Sequence, residues 1–380
     1  MGTTHPLVER ARELQPFVRE RGPAAEAAVA PDAEVVRAMA KAGLFSICAP
    51  AALGGAEADP LTTIDAIEAI SAADGGAGWV LMIGVETTGL GSAFLRADAA
   101  DAIVRAHPDV VFCGALNPQG RARKAEGGWM VTGQWPFASG CQRADWFWGQ
   151  CFVEGGERGE AIEVLVPRAE YEVVDTWNSP GLRGSGSHDV AVTNRFVPDA
   201  RVTRTRREHP HYDGPLFRVP VTARLAYNKV GVSTGIARGA IDAFVDLAAN
   251  RTPRFSGSLL RERPRAQLAV AEAEALLGGA RGFVDNAVGA LWATVCAGDH
   301  ASTRQRALVR LACSDAVRRC AEAVTCLYAA SGTATRDASH PLARAFRDVH
   351  IVGQQITVAP NVIDDAGRVL LGLDPVSPVF

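Results

Sequence analysis

Two short segments in the middle of the chain combine residue types that suit contact with a flat ligand. The first runs Trp135-Pro-Phe-Ala-Ser139-Gly140, and the second runs Gly181-Leu-Arg-Gly-Ser-Gly-Ser-His188-Asp189-Val190. Glycine lets a backbone approach a ligand closely, and serine supplies a compact hydroxyl that donates or accepts a hydrogen bond. Because these residues cluster at the ends of predicted strands, beside tryptophans, they indicate a ring-shaped cofactor lying against a small sheet.

The spacing of apolar residues divides the chain into three parts that must position these segments. Residues 1–110 predict an α-helical domain, in which Asp32 is a helix N-cap and the helix around 78–83 is apolar on every side. Residues 111–202 predict short strands without intervening helices, so we expect a small antiparallel β-barrel. After a linker at 203–215, residues 216–380 predict an antiparallel four-helix bundle, with helices at 217–249, 261–295, 302–331 and 341–371.

Composition excludes several classes of function. The chain has 380 residues, a formal net charge of −3 and 48% hydrophobic residues, so no basic surface points to nucleic acid. We see no signal peptide and no run of about 18 apolar residues, so we expect a cytoplasmic protein without a membrane span. The eight cysteines form no Cys-x-x-Cys pair and fit no zinc spacing, so we expect no metal site.

Common catalytic motifs are missing from the sequence. It contains no Gly-x-Gly-x-x-Gly after a strand, no Walker A loop and no Gly-x-Ser-x-Gly elbow. Hydride or oxygen chemistry therefore requires an organic cofactor held between the sheet and the bundle.

The order of helices, small sheet and four-helix bundle resembles the acyl-CoA dehydrogenase fold, and several motifs do too. They stand in the family's order and cover nearly the whole chain. The matching stretches are Lys41-Ala-Gly-Leu-Phe45 to Leu53-Gly-Gly55, Asn117-Pro118 to Gly140, Leu182 to Asp189 followed by Phe196-Val-Pro198, and Arg344-Ala-Phe-Arg347-Asp348-Val349-His350.

The catalytic base of the dehydrogenases is missing at both places where the resemblance puts it. One place is the segment Ile351-Val-Gly-Gln-Gln-Ile356-Thr-Val-Ala-Pro360, and the other is Tyr227-Asn228-Lys229; neither contains an acid. A neutral amide cannot take the substrate proton at pH 7. An acyl-CoA dehydrogenase or oxidase with a displaced base remains the alternative.

The resemblance favours the flavin-dependent monooxygenase branch of this fold, which includes aromatic hydroxylases, dibenzothiophene monooxygenases and nitrososynthases. It implies an oxygenase component that receives reduced FMN or FAD from a separate flavin reductase. It also implies O₂ as co-substrate, a flavin C4a-hydroperoxide, and a homotetramer. The expected substrate is a small organic molecule of secondary metabolism, such as an amine, an indole or another aromatic compound.

The same resemblance assigns cofactor contacts. It places Ser139 at flavin N5 or O4, where it also acts in catalysis, and it places further residues around the flavin ring and its phosphate. Arg254 competes with Arg251 for the phosphate. The ring contacts are Asn117, Trp135, Trp177 and Ser187, and the phosphate contacts are Arg251 and Thr333.

On the substrate side, Gln355 stands where many members of this branch have a histidine, and we expect it in the catalytic site. His350 is a second catalytic candidate, with a structural or interface role as the alternative. Glu86 and His188 are predicted substrate contacts. A buried Glu86 would pair with a cationic amine, whereas an exposed helix acid is the other interpretation.

Overall fold

Short helices build the N-terminal part of the computed structural model, which describes residues 4–205, 207–377 and 380. Three of these helices begin at an aspartate whose side chain accepts backbone N–H groups, namely Asp32, Asp59 and Asp74. The predicted N-cap at Asp32 is thus confirmed. The helices are α1 (Pro6–Glu13), α2 (Gln15–Ala28), α3 (Ala33–Lys41), α4 (Pro60–Ala73), α5 (Gly75–Phe94) and α6 (Ala97–Ala100).

Helix α5 lies at the centre of the molecule. Of its residues only Ala77 and Ile83 keep appreciable solvent exposure. A helix that is apolar on all sides must be covered on all sides. Helix α5 packs against α4, the first strand of the sheet, the first long helix of the bundle and the helix Pro341–Val352. It therefore connects all three parts of the chain.

The central sheet has seven strands in the order β5-β6-β2-β1-β3-β4-β7, so β5 and β7 are its edges. The expectation of a wholly antiparallel barrel is wrong in one respect, because β1 and β3 run parallel. The strands are β1 (Phe112–Ala125), β2 (Gly128–Trp135), β3 (Trp146–Val153), β4 (Ala161–Pro167), β5 (Glu172–Val174), β6 (Asp189–Pro198) and β7 (Val202–Thr203).

The parallel pair explains the position of the first glycine–serine segment. Strand β2 pairs with one side of β1 and β3 with the other, so the link 136–145 crosses over the end of β1. Phe137 and Gly140 take positive φ angles of 62° and 80° within this link. Such angles suit glycine and are uncommon for phenylalanine. The crossing therefore holds Ser139 at the rim of the sheet.

The C-terminal part consists of long helices, as predicted, except that the last one is broken. Residues 353–360 form turns between α11 and α12, beginning at Gly353 and ending at Pro360. Glycine weakens a helix, and proline disfavours helical backbone before it. The helices are α7 (Pro215–Arg218), α8 (Val221–Asn250), α9 (Pro264–Cys296), α10 (Thr303–Ser331), α11 (Pro341–Val352) and α12 (Asn361–Leu370).

One apolar core runs through the N-terminal helices, the sheet and the bundle, and the predicted overall order of helices, small sheet and helices is confirmed. Within the described ranges, no helix has both the length and the apolar character that a bilayer crossing requires.

Candidate functional site

A chain of buried hydroxyls joins the two glycine–serine segments. Trp79 donates its indole N–H to Ser139 Oγ at 2.9 Å, and Ser139 Oγ lies 2.6 Å from Ser187 Oγ. Ser187 Oγ in turn lies 2.7 Å from Ser185 Oγ. All four side chains are buried. The structure thus brings the two predicted residues Ser139 and Ser187 together, and it adds Trp79 and Ser185 to them.

Backbone hydrogen bonds fasten the same two segments to each other. Ala138 N–H donates to the carbonyl of His188, and Gly140 N–H donates to the carbonyl of Ser185, each at 3.0 Å. The second segment is also anchored to the bundle, because Leu182 N–H donates to Asp348 Oδ1 at 2.6 Å. The serine chain therefore has a rigid frame built from the sheet and α11.

His188 belongs to this frame, and the prediction that it contacts substrate is not supported. Its Nδ1 accepts the backbone N–H groups of Thr176 and Trp177 at 3.2 and 3.1 Å. Its Nε2 lies 3.0 Å from the carbonyl of Val29, so that nitrogen carries the proton. Because the ring is buried and both nitrogens are engaged, none of its polar atoms remains for a substrate.

An aromatic pair stands beside the serine chain. The Phe137 ring meets the Trp177 ring edge to face, with centroids 6.3 Å apart and an interplanar angle of 84°. Phe137 is 68% exposed. Its backbone has a φ of 62°, an angle that is unfavourable for a bulky residue. Strained backbone that presents an apolar ring to solvent is typical of a ligand-binding position.

Arg251 and Thr333 meet although 82 positions separate them in the sequence. Arg251 Nη2 donates to Thr333 Oγ1 at 3.2 Å, in an exposed position just beyond the ends of α8 and α10. The pKa of the nearby His340 is lowered mainly by burial and secondly by the positive charge of Arg251. Arg254 is exposed on the same loop. The pair presents a guanidinium and a hydroxyl, two groups that suit a phosphate.

Glu86 is buried, and it forms an ion pair within the protein. Lys229 Nζ lies 2.7 Å from both carboxylate oxygens of Glu86, and the two residues are 1% and 6% exposed. Burial raises the pKa of Glu86 and lowers the pKa of Lys229, and the charge of each partner opposes that shift. The predicted pairing of Glu86 with a cationic amine is therefore wrong, because Lys229 already holds the carboxylate.

Comparison with known proteins decides the family. Models of the acyl-CoA dehydrogenase N-terminal and C-terminal domains match residues 10–99 and 229–360. Indole-3-acetate monooxygenase of Pseudomonas putida is 32% identical over 343 residues, which cover 90% of this chain and 87% of that protein. The oxygenase component of the FADH₂-dependent resorcinol hydroxylase of Rhizobium sp. is 29% identical, covering 97% and 95%.

The chain belongs to the flavin-dependent monooxygenases of the acyl-CoA dehydrogenase family. The solved structure of XiaF from Streptomyces sp., in complex with FADH₂ and glycerol, superposes with a TM-score of 0.90. The identity is 25%, and the match covers 98% of this chain and 96% of XiaF. The predicted fold and reaction class are thus confirmed.

One predicted cofactor contact of this monooxygenase, Trp135, lies elsewhere than expected. The Trp135 side chain is enclosed within the sheet, where its indole N–H donates to the Gln150 carbonyl at 2.6 Å and its ring packs against Phe147. It is fully buried, so a cofactor cannot reach it. Asn117 is exposed on β1, where the pairing with β3 is interrupted, and its predicted cofactor contact stays a prediction.

On the substrate side of the monooxygenase, the broken last helix separates Gln355 from His350. Thr357 Oγ1 lies 2.5 Å from Gln355 Oε1 and 3.1 Å from the carbonyl of Leu225, so Gln355 sits in a turn against α8. His350 is exposed, edge-on against Phe346, and two positions from Asp348, which puts it on the other face of α11. This geometry supports the structural alternative for His350.

Residue patterns alone missed Trp79, Ser185 and Lys229. Trp79 lies in an apolar helix and Ser185 in a glycine-rich turn, and neither position suggested a hydrogen-bond partner. Lys229 did carry a signal, because lysine is rare in this chain and this one interrupts an apolar stretch of α8. A lysine in such a stretch indicates a buried partner of opposite charge.

Proposed function

We propose that this chain is the oxygenase component of a two-component system that hydroxylates a small aromatic or indole-type substrate. Reduced FMN or FAD comes from a separate flavin reductase, and O₂ is the second substrate. The observation that carries the proposal is the buried chain from Trp79 through Ser139 and Ser187, placed beside the exposed ring of Phe137 and the half-buried ring of Trp177.

The residues at this site fit a flavin. A reduced flavin bound here would supply the two electrons that activate O₂, so that one oxygen atom enters the substrate and the other leaves as water. Ser139 and Ser187 supply hydroxyls whose orientation is restricted by Trp79, and the rings of Phe137 and Trp177 supply apolar surface for a planar ring system. Preorganised hydrogen-bond donors in a dry site favour charge that develops during a reaction.

Arg251 and Thr333 suit the phosphate end of the same cofactor. Guanidinium and hydroxyl groups bind phosphate through charge-assisted hydrogen bonds, and this pair is exposed and preformed at 3.2 Å. A preformed pair loses less conformational entropy on binding than two mobile side chains do.

The alternative function, an acyl-CoA dehydrogenase or oxidase with a displaced base, depends on Glu86. It is a buried carboxylate that contacts Lys229 of α8, next to the position where the resemblance to the dehydrogenases places a base. Lys229 contacts both of its oxygens at 2.7 Å, which opposes proton abstraction by Glu86. Bleaching of bound oxidised FAD by an acyl-CoA would favour this alternative.

The proposal includes a reductase, a homotetramer and a cytoplasmic location. The eight cysteines are all free thiols, and most are buried, which suits a reducing compartment. Large apolar side chains on the surface of the bundle, such as Leu268 and Ile356, offer surface for contacts between subunits. Light scattering of the purified protein measures the number of subunits.

The decisive experiment uses the purified protein with a flavin reductase, NADH, FMN or FAD, and ¹⁸O₂. Indole, phenol and small amine probes are screened for a product with one ¹⁸O atom. We expect such a product from an aromatic probe, and Ser139→Ala should lower its yield per NADH consumed. Ser71→Ala, which removes a buried hydroxyl bonded within α4 at 2.7 Å, is the matched control. Failure of every probe to gain ¹⁸O would contradict the proposal.

A further inference from the structure

A second polar cluster lies two turns along α5 from the serine chain, and it has an excess of positive charge. We propose that Arg224, Lys229 and the Tyr227 hydroxyl form an anion site that binds the carboxylate of an acidic aromatic substrate. This inference rests on the proposed monooxygenase function, because it names the class of substrate for that site.

The charges of the cluster do not balance. Glu86, Arg224 and Lys229 are each at most 6% exposed, and Arg224 lies near enough to Glu86 for its positive charge to oppose the rise that burial causes in the pKa of this carboxyl. Two cations and one anion therefore share a region of low dielectric. Lys229 is paired with Glu86, while the charge of Arg224 acts on both Glu86 and Cys48. A net charge of +1 in the protein interior favours a ligand with a single negative charge.

Two neighbouring polar atoms in the cluster lack partners. Among the residues that the structure describes, neither the Tyr227 hydroxyl nor Asn228 Oδ1 has a hydrogen-bond partner, although both side chains are at least 98% buried. A buried polar group without a partner costs free energy, so a ligand or an ordered water is expected to bind it. The hydroxyl can donate to a carboxylate, and the amide oxygen can accept an N–H or O–H group.

The position of the cluster links it to the proposed flavin site. Trp79, Ile83 and Glu86 follow one another at i, i+4 and i+7, so they share one face of α5. Seven residues of α-helix span about 10 Å. Ile83, between the other two, is one of just two residues in α5 with appreciable exposure. Ile83 is therefore the partly exposed position on this face, between the serine chain and the cation cluster.

The opposite side of the cluster approaches the predicted catalytic turn. Thr357 Oγ1, which also contacts Gln355, lies 3.1 Å from the carbonyl of Leu225, the residue that follows Arg224 in α8. An aromatic ring held between α5 and this turn would direct a carboxylate substituent toward the cluster. A cationic amine in the same place would meet Arg224 and Lys229, which repel it.

The test compares three probes that share an indole ring: indole-3-acetate, indole-3-acetamide and tryptamine. Their dissociation constants are measured by calorimetry with the flavin-loaded protein under anaerobic conditions, and their oxygenation is measured separately. We expect the acetate to bind at least about ten-fold more tightly than the acetamide and tryptamine to bind most weakly. A ratio of acetate to acetamide affinity near one would overturn the inference, whether or not the probes are oxygenated.

Four variants separate recognition from folding. Arg224→Met should bring the affinity ratio close to one, and Arg224→Lys should restore much of it. Tyr227→Phe should weaken acetate binding several-fold without loss of stability, because the hydroxyl has no partner among the described residues. Arg238→Met, which removes an arginine of α8 that pairs with Glu274 at the surface, should leave the ratio unchanged.

Because the ratio compares two ligands on the same variant, partial unfolding of that variant cancels from it. An unchanged ratio in Arg224→Met, or the same fall in Arg238→Met, would show that Arg224 does not recognise the carboxylate. If the protein binds the acetate most tightly but oxygenates none of the aromatic probes, the result contradicts the proposed reaction and still supports the anion site.

Discussion

Trp79 and Ser139 lie 60 positions apart in the sequence, yet the indole N–H of one donates to the hydroxyl of the other at 2.9 Å. This bond connects the most deeply buried helix of the N-terminal part to the rim of the sheet. It also orients the first hydroxyl of the serine chain, so the geometry of the proposed flavin site depends on how α5 packs against the sheet.

Trp79→Phe removes the indole N–H and leaves a smaller aromatic ring in its place, so it should weaken flavin binding. A net hydrogen bond is worth about 1 kcal/mol, which corresponds to about a five-fold rise in the dissociation constant of reduced FMN or FAD. Anaerobic fluorescence titration measures it. The control is Trp129→Phe, which removes an indole N–H bonded to Asp199 at another part of the sheet. Equal losses in the two variants would refute a specific role for Trp79.

Ser187 lies between Ser139 and Ser185 in the serine chain. Its replacement should lower the free energy of unfolding more than replacement of Ser185, which lies at the end of the chain. Ser187→Ala removes the hydrogen bonds to Ser139 and Ser185, whereas Ser185→Ala removes the hydrogen bond to Ser187. At about 1 kcal/mol for each bond, we expect losses of unfolding free energy near 2 and 1 kcal/mol. Urea denaturation measures both values. A loss for Ser185→Ala equal to that for Ser187→Ala would contradict a linear chain.

Arg251→Gln should weaken the binding of FMN and FAD and leave riboflavin unaffected, because riboflavin has no phosphate. An exposed charge-assisted bond is worth about 1–2 kcal/mol, or about a five- to thirty-fold change in affinity. Arg254→Gln, three positions along the same loop, tests the competing phosphate contact and should leave all three affinities unchanged if Arg251 binds the phosphate. A similar loss of riboflavin binding in Arg251→Gln would place this arginine outside the phosphate contact.

Asp348 should make stability depend on pH. The pKa of Asp348 is raised to about 7, mainly because the side chain is buried and secondly because the negative charge of Asp74 lies nearby. An aspartate in an unfolded chain has a pKa of about 3.9. The folded protein therefore binds the extra proton, and this contribution to stability is full below pH of about 4 and is lost as the pH rises through about 7.

Asp348→Asn keeps an oxygen for Leu182 N–H and removes the titration. The slope of unfolding free energy against pH between 5 and 7 should become less negative by up to about 1.4 kcal/mol per pH unit. Urea denaturation at several pH values measures it, with the exposed Asp242→Asn as control. An unchanged slope would mean that Asp348 titrates outside this range.

The Glu86–Lys229 pair predicts a non-additive effect on stability. Lys229→Met leaves Glu86 buried without its partner and should lower the free energy of unfolding by about 3–5 kcal/mol. The double variant Glu86→Leu/Lys229→Met removes both charges and should be clearly more stable than the single variant. If the loss of unfolding free energy in the double variant equals the sum of the losses in Glu86→Leu and Lys229→Met, the two residues are not coupled.

Local patterns indicated the helical and extended parts of the chain, and the resemblance of several motifs to the acyl-CoA dehydrogenase family implied the fold and the reaction class. Apolar periodicity distinguished helical from extended stretches, and the two glycine–serine segments marked the place where Ser139 and Ser187 meet. These features depend on near neighbours in the chain, such as the N-cap at Asp32, which bonds to residues two and three positions later. They can be read without knowledge of distant contacts.

Contacts between distant residues depended on the packing of whole elements. Trp135 is buried within the sheet against Gln150 of β3, backbone N–H groups engage His188, and the break at Gly353 takes Gln355 out of the helix that carries His350. Glu86 was expected to bind a cationic ligand. Instead it pairs with Lys229, which is 143 positions away in the sequence. A side chain's partner is set by which surfaces meet across the core, and sequence spacing does not encode that.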